Sequence, residues 1–117
     1  MVQTAFKLIF KDLGYKTVSA GGSQSWEWNS DDEYILKHVL VIERDDLSLS
    51  KCLLTGRIEQ NYWTFDRVPA SIFGRDIRTA WELNYELPKN QKVYISIENT
   101  DTSDHDIQIV LVLERKG

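Results

Sequence analysis

Few residues of this chain could act as nucleophiles, bases or soft metal ligands. It holds one cysteine, Cys52, and two histidines, His38 and His105. Nucleophilic catalysis needs a Ser, Cys or Thr beside a base that a third group orients, and no such set is evident. We interpret His38 as a hydrogen-bonded strand residue, His105 as the solvated end of a loop, and Cys52 as a small buried hydrophobe. The sequence therefore predicts no catalytic residues and a protein that is not an enzyme.

Carboxylates and amides offer a candidate for metal chemistry. Asn99, Asp101, Asp104 and Asp106 place hard oxygen ligands, which suit Ca²⁺, on one short segment. Their spacing is not that of an EF-hand, and acidic runs of this kind are usually turn residues and solvated strand ends. We expect no metal and no cofactor, while cation binding by this acidic loop stays an open alternative.

Aromatic side chains offer a second kind of chemistry, which is stacking on a sugar ring. Trp26 and Trp28 flank Glu27 in one extended segment, and Tyr62, Trp63 and Phe65 follow in another. Alternation with polar residues would equally turn Trp63 and Phe65 toward a core. Two interpretations stay open, which are a ligand-binding platform made by Trp26, Trp28, Tyr62 and Trp63, and simple core packing.

The composition is that of one folded domain. Of 117 residues, 42% are hydrophobic and 27% charged, which are ordinary values for a globular protein with a single core. The aromatic load, with four Trp, five Tyr and four Phe, favours strands over a helical bundle. We predict one domain over residues 1–117.

Charge and patterning argue against several partners. The 14 basic and 18 acidic residues give a net charge of -4, and the basic ones are scattered, so we expect no nucleic-acid partner. No apolar run approaches the roughly 20 residues of a membrane span, so we expect no membrane partner. A single cysteine and the lack of a signal-peptide pattern predict synthesis in the cytoplasm.

Alternating apolar and polar residues indicate the strands that must position these side chains. In the C-terminal half, period two predicts strands over residues 81–87, 93–98 and 107–114, and upstream over 34–43. The segments 34–43 and 107–114 carry apolar residues on both faces, which indicates burial on two sides or an interface. Such a surface predicts a homo-oligomer or contact with a larger protein shell.

The remaining segments are less regular. Residues 53–60 read as a strand in which Gly56 predicts a bulge, and 62–67 as its continuation or partner. Residues 68–74 predict a corner that carries Ile72 and Phe73 inward. Residues 2–10 fit a strand and also a helical stripe; we favour a strand, a turn at Gly14 and a returning strand.

Seven or eight strands without a convincing long helix predict an all-β, two-sheet β-sandwich, and the uneven connections favour a jelly-roll-like topology. Within it, the segments Val-Pro-Ala-Ser-Ile-Phe-Gly at 68–74 and Val-Tyr-Ile-Ser-Ile-Glu-Asn-Thr at 93–100 resemble parts of small jelly-roll virion proteins of phages and other viruses. The resemblance covers about residues 33–115 as a pattern of strands and corners. It implies a capsid-associated or decoration role in a virion, through self-assembly and contacts to a shell.

Two hypotheses for function follow. The first is a non-enzymatic structural protein that acts through protein–protein contacts. The alternative is a β-sandwich module that binds a carbohydrate or another ligand through Trp26, Trp28, Tyr62 and Trp63.

Overall fold

The chain is described by a computed structural model over residues 7–64 and 66–116. Within these residues it forms strands and a single turn of 3₁₀ helix at Ala70–Phe73. The strands are β1 (Leu8–Val18), β2 (Ser23–Asn29), β3 (Tyr34–Glu43), β4 (Cys52–Ile58), β5 (Asn61–Tyr62), β6 (Val68–Pro69), β7 (Tyr85–Leu87), β8 (Lys92–Asn99) and β9 (His105–Arg115).

The strands form two antiparallel sheets. One has the order β1-β9-β3-β7, and the other has the order β2-β8-β4-β5, with β6 also paired to β4. Long strands that follow one another in the chain alternate between the sheets, so the two sheets are wound together as in a double-sheet jelly roll. The predicted all-β, two-sheet, jelly-roll-like sandwich is confirmed.

The core lies between the sheets and is built by alternate residues of the central strands. Ile107, Ile109 and Leu111 of β9 point inward and are fully buried, and so are Ile95 and Ile97 of β8 in the facing sheet. Burying one such side chain stabilises the fold by about 1.5–3 kcal/mol. Because the period of a strand is two, the next residue of each strand faces outward and is free to form a surface.

The N-terminal segment is one long strand, so the predicted turn at Gly14 is wrong. β1 pairs with β9 from Leu8↔Glu114 to Val18↔His105, with a register shift between Asp12 and Gly14. Gly14 has φ +90°, a left-handed conformation that glycine adopts without a steric penalty, as a bulge requires. The strand interpretation is confirmed for residues 8–18, whereas Val2, Thr4 and Phe6 lie outside the described residues.

Gly56 does not form the predicted bulge. β4 pairs with β8 in unbroken register from Cys52 to Ile58. The reason for a glycine is a close approach, since a Cβ at Gly56 would lie 2.2 Å from Cζ2 of Trp63. The indole ring of Trp63 therefore lies on the inner face of β4, where a side chain at residue 56 would otherwise be.

Three other segments differ from the sequence-based expectation. Among the described residues of 62–67, only Tyr62 belongs to a strand, β5, and within 81–87 only Tyr85–Leu87 is a strand. Trp81 is 66% exposed rather than in the core. In the corner, Phe73 is buried as predicted but Ile72 is exposed, because the 3₁₀ turn directs neighbouring side chains to different sides.

Candidate functional site

The described residue that departs most from its predicted environment is His105. It begins β9, and its side chain is only 2% exposed. Its Nδ1 lies 3.2 Å from Oε2 of Glu43 and its Nε2 lies 3.1 Å from Oδ2 of Asp101. Carboxylate oxygens only accept hydrogen bonds, so both ring nitrogens must donate and the ring is an imidazolium. The interpretation of His105 as a solvated loop end is wrong.

The pKa shifts agree with this geometry. Burial lowers the pKa of His105, but the hydrogen bonds to Asp101 and Glu43 outweigh it and leave the pKa raised. Burial raises the pKa of Glu43, but hydrogen bonds from the backbone N–H groups of Leu47 and Asp45, and from His105, leave it lowered. His105 also lowers the pKa of Asp101. All three shifts therefore favour the charged forms of the three groups.

Cys52 lies beside this cluster but is not activated by it. The fully buried thiol donates a hydrogen bond to Oδ1 of Asn99, at 3.7 Å. Burial, and then the charges of Asp101 and Glu43, raise the pKa of Cys52 to about 11, which keeps it protonated. Both ring nitrogens of His105 are bound to carboxylates, so the ring offers no free nitrogen to take a proton. The arrangement stabilises the end of the sandwich and does not form a nucleophile–base pair.

The carboxylates of the acidic loop bind the protein itself. Asp104 accepts a hydrogen bond from the backbone N–H of Ala20, and Asp106 accepts one from Oγ1 of Thr17. Asp101 binds His105, as described above. Within residues 7–64 and 66–116, no group of three or more His, Cys, Asp or Glu residues could hold a metal ion. These hydrogen bonds therefore hold the acidic loop and the start of β9 against the end of β1 and the turn that follows it.

His38 is a hydrogen-bonded strand residue, as its surroundings in the sequence predict. It lies on β3, is mostly buried, and its Nδ1 is 3.1 Å from the carbonyl oxygen of Trp81. This contact joins β3 to the segment that precedes β7.

The four aromatic residues of the predicted binding platform do not lie on one surface. Trp26 is 1% exposed, and its Nε1 donates to the carbonyl of Gly14. Trp28 also points inward and is half-buried against the core. At the opposite edge of the same sheet, half-buried Trp63 stacks on Tyr85 with ring centroids 6.0 Å apart.

Tyr62 differs from the other three because it is 62% exposed. It pairs with Arg57 across β4 and β5 and faces outward. The structure thus brings Tyr62 and Trp63 to one edge and keeps Trp26 and Trp28 at the other. Phe65 lies outside the described residues.

The outer side of the β1-β9-β3-β7 sheet carries many apolar side chains. Phe10 lies beside Val112 in the register of β1 and β9, and Val110 lies beside Leu40 in that of β9 and β3. Phe10 is 55% exposed. We call this surface the outer apolar face, and it comprises Leu8, Phe10, Tyr15, Ile42 and Val110, together with Leu40 and Val112, which are already buried within the chain.

The outer side of the β2-β8-β4-β5 sheet has a different character. Ser25, Ser96 and Thr55 are aligned across β2, β8 and β4, so three short hydroxyl side chains form one row. Longer side chains flank this row and make a groove that runs across the strands: a first wall of Glu27, Tyr94 and Arg57, and a second wall of Leu53, Glu98 and Arg67. We call it the hydroxyl groove.

Sequence reasoning did not find the hydroxyl groove. The alternation in 93–98 indicates that Tyr94, Ser96 and Glu98 share a face, but not which residues lie beside them on neighbouring strands. Ser25 and Thr55 come next to Ser96 only through pairing with strands that are distant in the chain.

Comparison of the chain with protein-family models, curated proteins and solved structures found no match. Among the residues that the structure describes, there is no helix with the length and apolar character needed to cross a membrane.

Proposed function

We propose that this chain is a non-enzymatic structural protein that assembles through protein–protein contacts, and that a second copy covers its outer apolar face. The observation that carries the proposal is the outer apolar face itself. An antiparallel sheet of a monomeric protein usually has one face on the core and one polar, solvated face. Here Phe10, Leu8 and Tyr15 are all substantially exposed on the second face, which favours a partner that removes them from water.

The face, rather than the edge of the sheet, is the better contact surface. β1 is an edge strand with Lys11 and Lys16 along it and a bulge at Gly14. Charged residues and bulges at an edge oppose the addition of another strand. The apolar side chains beside this edge favour packing of one sheet on another, at the spacing of about 10 Å that sheets adopt in sandwiches.

The proposed setting is a virion, as a capsid-associated or decoration subunit. Two observations support it, which are the winding of the strands, since jelly rolls are common in capsid domains, and the apolar face suited to assembly. Jelly rolls also serve as lectin domains and enzymes, so topology alone does not decide the role. The test must therefore address assembly directly.

The test is the mass in solution by light scattering over a range of concentrations, for the wild-type chain and Phe10→Asp. We expect a defined oligomer for the wild type and monomers for Phe10→Asp, because a buried carboxylate without a partner is strongly unfavourable. Tyr62→Ala is the matched control, since it also removes an exposed aromatic ring but from the opposite sheet, and it should not change the mass.

Thermal unfolding of each variant separates loss of assembly from loss of folding. A wild-type chain that stays monomeric at high concentration would show that self-assembly is wrong. If Phe10→Asp leaves the oligomer intact, the interface does not lie on the outer apolar face.

A further inference from the structure

We infer that the hydroxyl groove is a binding site for a saccharide chain, which would lie across strands β2, β8 and β4. This inference is independent of the proposed assembly, because the groove lies on the opposite sheet. Only one residue of the platform expected from the sequence, Tyr62, belongs to it.

The shape of the groove follows from the strand register. Ser25, Ser96 and Thr55 form its floor. Adjoining cavities of about 750, 390 and 230 Å³ open along it, and Thr55 borders all three. Ligand sites usually measure about 300–1,000 Å³. Short side chains between long ones thus make a concavity on a sheet face that would otherwise be flat.

One wall combines an aromatic ring with a fixed cation. Arg57 is stacked on Tyr94, with its guanidinium carbon 3.7 Å from the ring centroid, and its Nη1 donates to the carbonyl of Glu59. Tyr62 stands next to Arg57 with its ring exposed. Stacking and the hydrogen bond hold Arg57 in place, so its remaining N–H donors are available to a ligand at little cost in side-chain entropy.

Most of the other charges around the groove are already paired. Arg67 is bound to Glu98 on the second wall, and Lys92 lies 3.7 Å from Glu27 on the first. Arg57 forms no ion pair within the part of the chain that the structure describes. Asp66 borders the cavity of about 750 Å³, so outside the ion pairs of the described residues the groove carries one oriented guanidinium and one carboxylate.

This chemistry favours a saccharide over other chain-like ligands. Hydroxyl groups donate and accept hydrogen bonds, as the hydroxyls of a sugar do, and the exposed ring of Tyr62 suits the apolar face of a pyranose. A nucleic acid needs an excess of basic residues, which the groove lacks. A peptide strand binds best to free backbone groups at a sheet edge, whereas the floor consists of side chains on the face of the sheet, and Ser96 and Thr55 lie on its inner strands β8 and β4.

The test is binding of the wild-type chain to a printed array of neutral, uronate-containing and sialylated oligosaccharides, followed by NMR titration with the strongest one. We expect binding that perturbs amide signals of β2, β4, β5 and β8. A preference for carboxylated sugars that weakens with salt would show that Arg57 binds a sugar carboxylate. Binding of neutral sugars alone would show that it binds sugar hydroxyls.

Two variants and a control make the test specific. Tyr62→Ala should weaken binding at least tenfold, and Ser96→Arg should abolish it by filling the floor. Tyr15→Ala removes a similarly exposed ring from the opposite sheet and should leave affinity unchanged.

Because Tyr62 and Ser96 are both exposed, both groove variants should fold, which thermal unfolding will verify. Failure of every saccharide to bind would overturn the inference, as would signal changes confined to the outer apolar face. Neither result would alter the mass measurements that test assembly.

Discussion

Replacement of His105 by glutamine is expected to destabilise the protein strongly, even though His105 lies at the start of a strand beside an acidic loop. The imidazolium is held between Glu43 on β3 and Asp101 on the loop before β9. Glutamine has no charge and cannot donate in the same two directions. In His105→Gln the side chain of Glu43 stays buried, with only the backbone N–H groups of Asp45 and Leu47 as partners.

The magnitude follows from the burial of the pair. Removing one partner of a buried ion pair costs about 3–5 kcal/mol, because the other charge loses its compensation. Glu43 retains two backbone hydrogen bonds, so we expect the lower end, about 3 kcal/mol, and a fall in Tm of roughly 10 °C. His38→Gln is the control, since His38 makes one hydrogen bond on the same strand as Glu43 and should lose only about 1 kcal/mol.

The same cluster sets a pH window for stability. The pKa of His105 is raised above 6.5, so its contribution is complete below pH 6.5 and is lost as pH rises through the folded-state pKa. The pKa of Glu43 is lowered from 4.5, so its contribution is complete above pH 4.5 and is lost as pH falls through its folded-state pKa. The cluster should therefore stabilise the fold most between these two values.

Chemical denaturation at a series of pH values measures both effects. The wild type should lose stability on both sides of the window, and His105→Gln should lose the dependence on the alkaline side. A loss of less than about 1 kcal/mol in His105→Gln, the size of one ordinary hydrogen bond, would refute the reasoning. So would a wild-type stability that does not change as pH rises above 6.5.

Two further predictions concern the core. Gly56→Ala should lower the free energy of unfolding by about 1–3 kcal/mol, because the new methyl group displaces Trp63 from β4. In a Trp63→Ala background the same substitution should change it very little, and equilibrium unfolding of the wild type, the two single variants and the double variant measures both effects. Equal losses in the two backgrounds would disprove the contact. Cys52, buried and with its pKa raised to about 11, should resist alkylation in the native protein at pH 8 and react once it is unfolded. Rapid native labelling, followed by mass spectrometry, would contradict the buried position.

Several features of the fold follow from local pattern. The alternation in 93–98 and 107–114 indicated two central strands, because a strand with one face on a core must place apolar residues at every second position. Turn residues separated the strands, and the resulting number of strands indicated a sandwich. The mostly apolar surroundings of His38 likewise predicted a strand residue with a hydrogen bond.

Errors arose where distant parts of the chain meet. The segment 81–87 alternates as a strand should, yet only its last three residues pair with β3, because Asn84, with φ 58°, interrupts the extended backbone before them. Gly56 suggested a bulge, whereas Trp63, seven residues later, explains it by contact. In the local pattern, the need of a glycine for space cannot be distinguished from its need for an unusual backbone angle.

The sequence by itself determined where long strands such as β3 and β9 would lie, and that these two would be apolar on both sides. Only the tertiary structure decided which side chains are neighbours on each face of the sheets. Glu43 and His105 are 62 residues apart in the sequence but in contact in the fold. Ser25, Ser96 and Thr55 lie side by side only because of the register of three strands. A strand's period is a property of its own residues, whereas its neighbours are set by the packing of the whole chain, and both proposed surfaces depend on those neighbours.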